Sequence, residues 1–341
     1  MDVIRRVLAI DGGGSKTDVV LVDTQGRVLA QGQGPSSQPQ TLGVPRTLAV
    51  LDDLVAQVRR DAQLAADEPL ADHAAVYLAG MDLPQEIAEI EPFLRARSWA
   101  PSLVIDNDTF AVLRAGTQAL DAVAVVCGTG INCVGRNAAG AQSRFAALGE
   151  ITGDWGGGHD LGQQALWHAV RADDGRGPVT ALQQAIAKHF DQPDAISVGI
   201  AIHFREISDL RLNELSPLVF SIAAKGDAVA GHLVDRLAGE IAAMATVSMT
   251  RLGLLDRPVD LVLGGGVARS RDPRLLERLH EIVLAANPQT TISVVDAAPV
   301  VGAALLGLDT LGTLNAPTPA PIPTATPADV AARVRAALVR D

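Results

Sequence analysis

The chain holds 341 residues, 48% hydrophobic and 3% aromatic. That is enough to bury a large core and points to two α/β domains closely packed through small side chains. A net charge of −11 without a Lys/Arg cluster argues against a nucleic-acid partner, and no apolar run is long enough to cross a membrane. Two cysteines cannot build a disulfide framework and no signal peptide precedes the first strand, so a reduced, cytoplasmic protein is expected.

The first element is a hairpin. Residues 7–23, VLAIDGGGSKTDVVLVD, read as a buried strand, a glycine turn and a β-branched second strand; a turn at 24–27 leads into a third strand. A polar loop follows at 32–45, long enough to serve function. Leu48, Leu51, Leu54, Val55 and Val58 predict a helix over 46–64. A strand at 74–80, a helix at 84–97, a strand at 102–105 and a helix at 109–120 come next. The pattern then starts again: a strand at 122–127, the glycine turn Gly128-Thr129-Gly130, a strand at 131–136 and a turn at 137–140. A third glycine cluster, EITGDWGGG at 150–158, precedes a helix over 160–170. Helices are predicted over 180–190, 194–204 and 233–252. A strand at 259–263 runs into Gly264-Gly265-Gly266, followed by a helix at 273–286, a strand at 291–295 and a small-residue helix at 300–308. Residues 316–327 read as a semi-rigid Pro/Thr/Ala linker, and 329–339 as a terminal amphipathic helix, either docked on the N-terminal domain or mobile. The domains are drawn at 1–117 and 118–315, with 316–341 as linker and helix.

Chemistry concentrates at the turns. Glycines let backbone N–H groups approach an anion, and Asp11 stands at the mouth of the first turn, where it could hold a metal or a water bound to one. A Walker A loop needs Gly directly before Lys-Ser/Thr and then a helix; here Ser15 precedes Lys16, and a strand follows Thr17. A dinucleotide fingerprint also needs a helix. The turn Asp11-Gly12-Gly13-Gly14-Ser15-Lys16-Thr17 therefore sits inside a β-hairpin, suited to a nucleotide phosphate with Mg²⁺. Two such glycine hairpins, one per half, could grip a phosphate chain from both sides of a cleft. Asp106 and Asp108, at a strand's C-terminal end, are candidates for general base, with helix capping as the structural alternative for each.

The ordered motifs DGGGSKT, DNDT, CGTGINC, EITGDWGGG and LVLGGGV resemble the sugar kinase, heat-shock chaperone and actin superfamily, and within it the BadF/BadG and N-acetylglucosamine kinase branch, over roughly residues 7–308. The resemblance implies two actin-like (ribonuclease H-like) α/β domains around an ATP cleft. It implies phosphate contacts at Asp11, Gly12, Gly13, Gly14, Ser15, Lys16 and Thr17, with Asp11 near Mg²⁺, and at Gly128, Thr129 and Gly130. Gly264, Gly265 and Gly266 would take adenosine, with the helix around Gly302 beside it. Asp108, matching the family's Asn-Asp pair with Asn107, would be the base, and Gly153-Asp154 would contact sugar. A homodimer and a small-molecule amino-sugar partner follow from the same likeness.

The acceptor is read from EITGDWGGGHD. Glu150, Asp154 and Asp160 suit a cationic amino sugar, so glucosamine is placed ahead of N-acetylglucosamine. Asp106, Asn107, Asp108, Asn132, Glu150, Gly153 and Asp154 are the expected sugar contacts. Trp155 could stack on a sugar or fill the core. His159 reads as a loop histidine, and Gln38 and Gln40 could reach the sugar from the small domain. Cys127 and Cys133 leave one rival, an activase holding an iron–sulfur cluster between subunits, although burial of the thiols as small hydrophobes is the expectation.

Overall fold

The computed structural model describes residues 4–314 and 325–339. Most of the 316–327 stretch read as a linker lies outside them. The fold is mixed α/β with two five-stranded sheets. The described residues fall into two compact units, one of residues 4–124, 134–146, 295–314 and 325–339, the other of 125–133 and 147–294.

In the first unit, β1 (Arg6–Gly12), β2 (Lys16–Asp23) and β3 (Val28–Pro35) form an antiparallel meander; β4 (His73–Leu78) and β5 (Ser102–Asn107) add in parallel, in the order β3-β2-β1-β4-β5. Strand alternation sorts the faces. Leu8, Ile10, Val19, Leu21, Val76 and Leu78 join one core with Leu48, Leu51, Leu54, Val55 and Val58 of the Val44–Asp61 helix. Val7, Ala9 and Asp11 alternate to the other face, where the Pro299–Leu314 helix packs on β1, β4 and the Asp108–Gly116 helix. Gly302 is required there: a Cβ would collide with the Ala111 carbonyl. The terminal Ala328–Ala337 helix docks on this unit, where Arg333 Nε donates to the Gln25 carbonyl at 2.7 Å.

The second sheet runs β10-β9-β6-β7-β8, from β6 (Ala122–Cys127), β7 (Ile131–Arg136), β8 (Gln142–Arg144), β9 (Val259–Gly264) and β10 (Thr290–Val294). In the second unit the long Ala228–Leu252 helix starts five residues earlier than its periodicity predicts, because Asp227 caps it by accepting from the Val229 and Ala230 amides. The Ser216–Ala223 helix and the short strand β8 have no counterpart in the sequence reading. The helix predicted over 109–120 stops at Gly116, and the loop predicted over 32–45 is shortened by β3 and by the one-turn helix Pro39–Leu42.

Candidate active site

The first unit brings together three acids and one lysine. Asp11 lies at the end of β1, directly opposite Asp18 in the antiparallel register. The Gly13 amide donates to the Lys16 carbonyl at 2.9 Å and closes the turn. The segment after β3 braces it: the Thr17 hydroxyl is 2.7 Å from the Pro35 carbonyl and 2.8 Å from the Ser37 hydroxyl, and Ser36 Oγ donates to the Gly13 carbonyl. Burial drives the Asp11 carboxyl well above the usual range, the carboxylates of Asp108 and Asp18 push it further, and Lys16 pulls it back.

Asp108 is the first residue of its helix. Its burial raises the carboxyl to about 6, held back by the amides of Thr109 and of Asp108 itself. Neither aspartate of DNDT is the helix cap. Asn107 takes that role, accepting from the Thr109 amide at 2.9 Å, and its Nδ2 donates to Asp82. Since β5 ends at Asn107, strand alternation does not carry through to Asp108. Asp106 is gripped by Arg144, whose two terminal nitrogens donate to its two oxygens at 2.6 and 2.8 Å while the guanidinium lies 4.5 Å over Phe110. Arg144 and Asp82 escaped the sequence reading because nothing in their neighbours marks them; only the fold delivers them.

A magnesium ion fits the acid group. Among the described residues no three His, Cys, Asp or Glu side chains make a metal cluster. Mg²⁺ commonly takes only one or two carboxylates and completes its shell with phosphate oxygens and water. Asp11, raised by burial and further by the carboxylates of Asp108 and Asp18, is where an added cation would relieve that repulsion.

In the second unit, the turn Gly128-Thr129-Gly130 seats on the glycine cluster that follows it. The Gly158 amide donates to the Gly128 carbonyl at 2.7 Å and the His159 amide to the Thr129 carbonyl at 3.0 Å. Gly265 has φ +89° and lies so close to the Cys127 carbonyl that a Cβ would collide, which brings Gly264-Gly265-Gly266 against the start of the same turn. A cavity of about 220 Å³ is lined by Thr129, Gly130, Ile131, Ala147, Gly149, Asp154, His159 and Asp160. Asp154 is buried and accepts from the Thr152 hydroxyl, and Asp160 accepts from the Gly156 amide. Glu150, Gly153 and Asn132 are not among the lining residues; Glu150 is exposed, and Asn132 Oδ1 accepts from the Cys133 amide. Trp155 is buried under Arg236, 3.8 Å away, so the core takes it. Gln40 turns to the Gly80 carbonyl and Glu86.

A family model for the BadF/BadG/BcrA/BcrD ATPase family matches residues 8–307. The chain belongs to this family. An N-acetyl-D-glucosamine kinase of Dictyostelium discoideum is 29% identical over 89% of this chain and 97% of its own length. An N-acetylmuramic acid/N-acetylglucosamine kinase of Clostridium acetobutylicum is 27% identical over 77% of this chain and 86% of its own. A glucosamine kinase of Vibrio cholerae is 24% identical over 69% and 77%. A solved Chromobacterium violaceum structure, proposed to be an N-acetylglucosamine kinase, shares the fold with a TM-score of 0.69 at 25% identity, over 89% of this chain and 99% of that one. The ATPase has an actin-like sugar kinase fold. Its thiols do not suit an iron–sulfur cluster shared between subunits: Cys127 and Cys133 are buried, and burial pushes both to about 12.

Proposed function

We propose that this ATPase is an amino-sugar kinase that transfers the γ-phosphoryl group of ATP to the 6-hydroxyl of glucosamine, giving glucosamine 6-phosphate and ADP. The observation that carries the reading is Asp108, a half-buried carboxylate raised by desolvation to about 6 and within electrostatic reach of Asp11. Phosphoryl transfer asks the protein mainly for positioning and charge stabilisation. A base near neutrality is matched to accepting the hydroxyl proton as the oxygen attacks phosphorus. In this reading Asp108 Oδ takes the proton, the bond to the β,γ-bridging oxygen breaks, and ADP leaves with that electron pair. In the first unit the Asp11–Thr17 turn would offer backbone amides to phosphate; in the second, Gly128-Thr129-Gly130 would do the same and Gly264-Gly265-Gly266 would seat adenosine. Asp11 would hold Mg²⁺, which supplies positive charge for the phosphate oxygens when bound.

The acceptor follows from the acid-lined cavity. Asp154 and Asp160 place two carboxylates around it, which suits an ammonium group on the sugar. N-acetylglucosamine is the second reading, favoured by the names of two of the relatives above. A coupled ADP-release assay over a panel of hexoses and hexosamines separates them. Glucosamine-stimulated turnover is expected. Turnover far higher on N-acetylglucosamine would reverse the order, and ATP hydrolysis indifferent to every sugar would point to an activase and sink the kinase reading.

A further inference from the structure

One face of the first sheet carries an unusual row. Asp11 of β1 is directly opposite Asp18 of β2, and Asp18 is directly opposite Gln33 of β3. Directly opposed residues project to the same side, and so does Lys16, two positions before Asp18. Both oxygens of the fully buried Asp18 are engaged: Gln33 Nε2 donates to Oδ1 at 2.8 Å, and the half-exposed Lys16 ammonium lies 3.0 Å from Oδ2. Strand stability does not explain this choice. A like charge directly across a ladder is destabilising, and a buried carboxylate is costly where β2 otherwise carries Val19, Val20, Leu21 and Val22. What Asp18 does provide is a fixed anchor for a flexible cation. A free lysine side chain loses rotamer entropy when it is immobilised, and an anchor removes much of that loss in advance.

We propose that Asp18, held by Gln33, is a positioning residue that pins the Lys16 ammonium at the rim of the glycine turn, so that nucleotide phosphates meet a cation already in place. This rests on the reading of the Asp11–Thr17 turn as a phosphate loop. Asp18 acts only through Lys16 and itself touches neither the nucleotide nor the acceptor.

The test is ATP binding by calorimetry without sugar, alongside steady-state kinetics, for Lys16→Met, Asp18→Asn, Gln33→Leu and the Lys16→Met/Asp18→Asn double variant. Lys16→Met and Asp18→Asn should each weaken ATP binding about tenfold, Gln33→Leu severalfold in the same direction, and the double variant no more than Lys16→Met alone. The KM for the sugar should hardly move. Removing one of two opposed carboxylates should leave Asp18→Asn folded, checked by its melting temperature; if it does not fold, Gln33→Leu carries the test alone. Weakened binding in Lys16→Met with normal affinity in Asp18→Asn and Gln33→Leu would overturn the positioning role and leave the phosphate loop standing. Normal affinity in Lys16→Met as well would overturn the loop reading itself.

Discussion

Arg144 grips both carboxylate oxygens of Asp106, while Asp108, two residues on, is held by backbone amides. The two acids of one short motif therefore occupy different chemical states. Asp106 is tied to a guanidinium by a bidentate pair, the geometry that immobilises a carboxylate best. Asp108 sits at a helix start with its carboxyl raised toward neutrality.

Asp108→Asn should lower turnover by about 10²–10⁴, the usual worth of a general base, with ATP affinity retained. Asp106→Asn should be milder in turnover and should cost stability instead, since it leaves Arg144 facing a neutral amide. Single-turnover kinetics and nucleotide titration check the pair. Near-normal transfer by Asp108→Asn would remove it from the chemistry.

The acid limb of kcat/KM should bend near pH 6, where Asp108 ionises, and the bend should vanish in Asp108→Asn. The same carboxyl has a stability cost of calculable sign. Its folded value lies above the unfolded one of about 4, so its stabilising contribution is whole below pH 4 and lost as pH rises through 6. Asp108→Asn should therefore match the wild-type protein in urea unfolding near pH 4 and exceed it at pH 7.5 by up to about 3 kcal/mol.

His73 works in the opposite direction. Burial lowers its ring to about 4; Nδ1 lies 2.9 Å from Ser102 Oγ, and Nε2 has no hydrogen-bond partner. A depressed histidine stabilises fully above its unfolded value near 6.5, and that contribution is lost as pH falls toward 4. Urea midpoints should show His73→Leu gaining on the wild type by about 3 kcal/mol across that interval. A pH-independent difference between the two proteins would contradict the buried neutral ring.

The Arg114–Asp309 pair is buried between the Asp108–Gly116 and Pro299–Leu314 helices, at 2.8 Å, and Asp309 also accepts from the amide and hydroxyl of Thr326. Breaking it from one side leaves an uncompensated charge. Asp309→Ala should cost about 3–5 kcal/mol, whereas Arg114→Met with Asp309→Leu should cost much less. Thermal melts of the two proteins check the difference.

Much of the geometry of the Asp11–Thr17 turn was legible because its signals are local. Gly12, Gly13 and Gly14 between two apolar strands dictate a turn, and the β-branched run Val19–Val22 dictates a strand. Capping stood as the structural alternative for Asp106 and Asp108, yet the cap falls to Asn107 between them, because Asp and Asn cap equally well and the chain alone does not show where β5 stops. Trp155 was balanced between sugar and core until Arg236, some eighty positions away, covered it.

Local patterning by itself determined the β-hairpins, the ordered glycine turns and the presence of an acid pair at the C-terminal end of β5, since strand period, turn chemistry and helix spacing act within a few residues. Only the tertiary structure decided what each acid does. The fold brings Arg144 to Asp106, partly withdraws Asp108 from solvent, opposes Asp18 to Asp11 and selects Asp154 and Asp160 over Glu150 to line the cavity. Charge, burial and hydrogen bonding depend on neighbours distant in the chain, and a carboxylate takes its function from those neighbours.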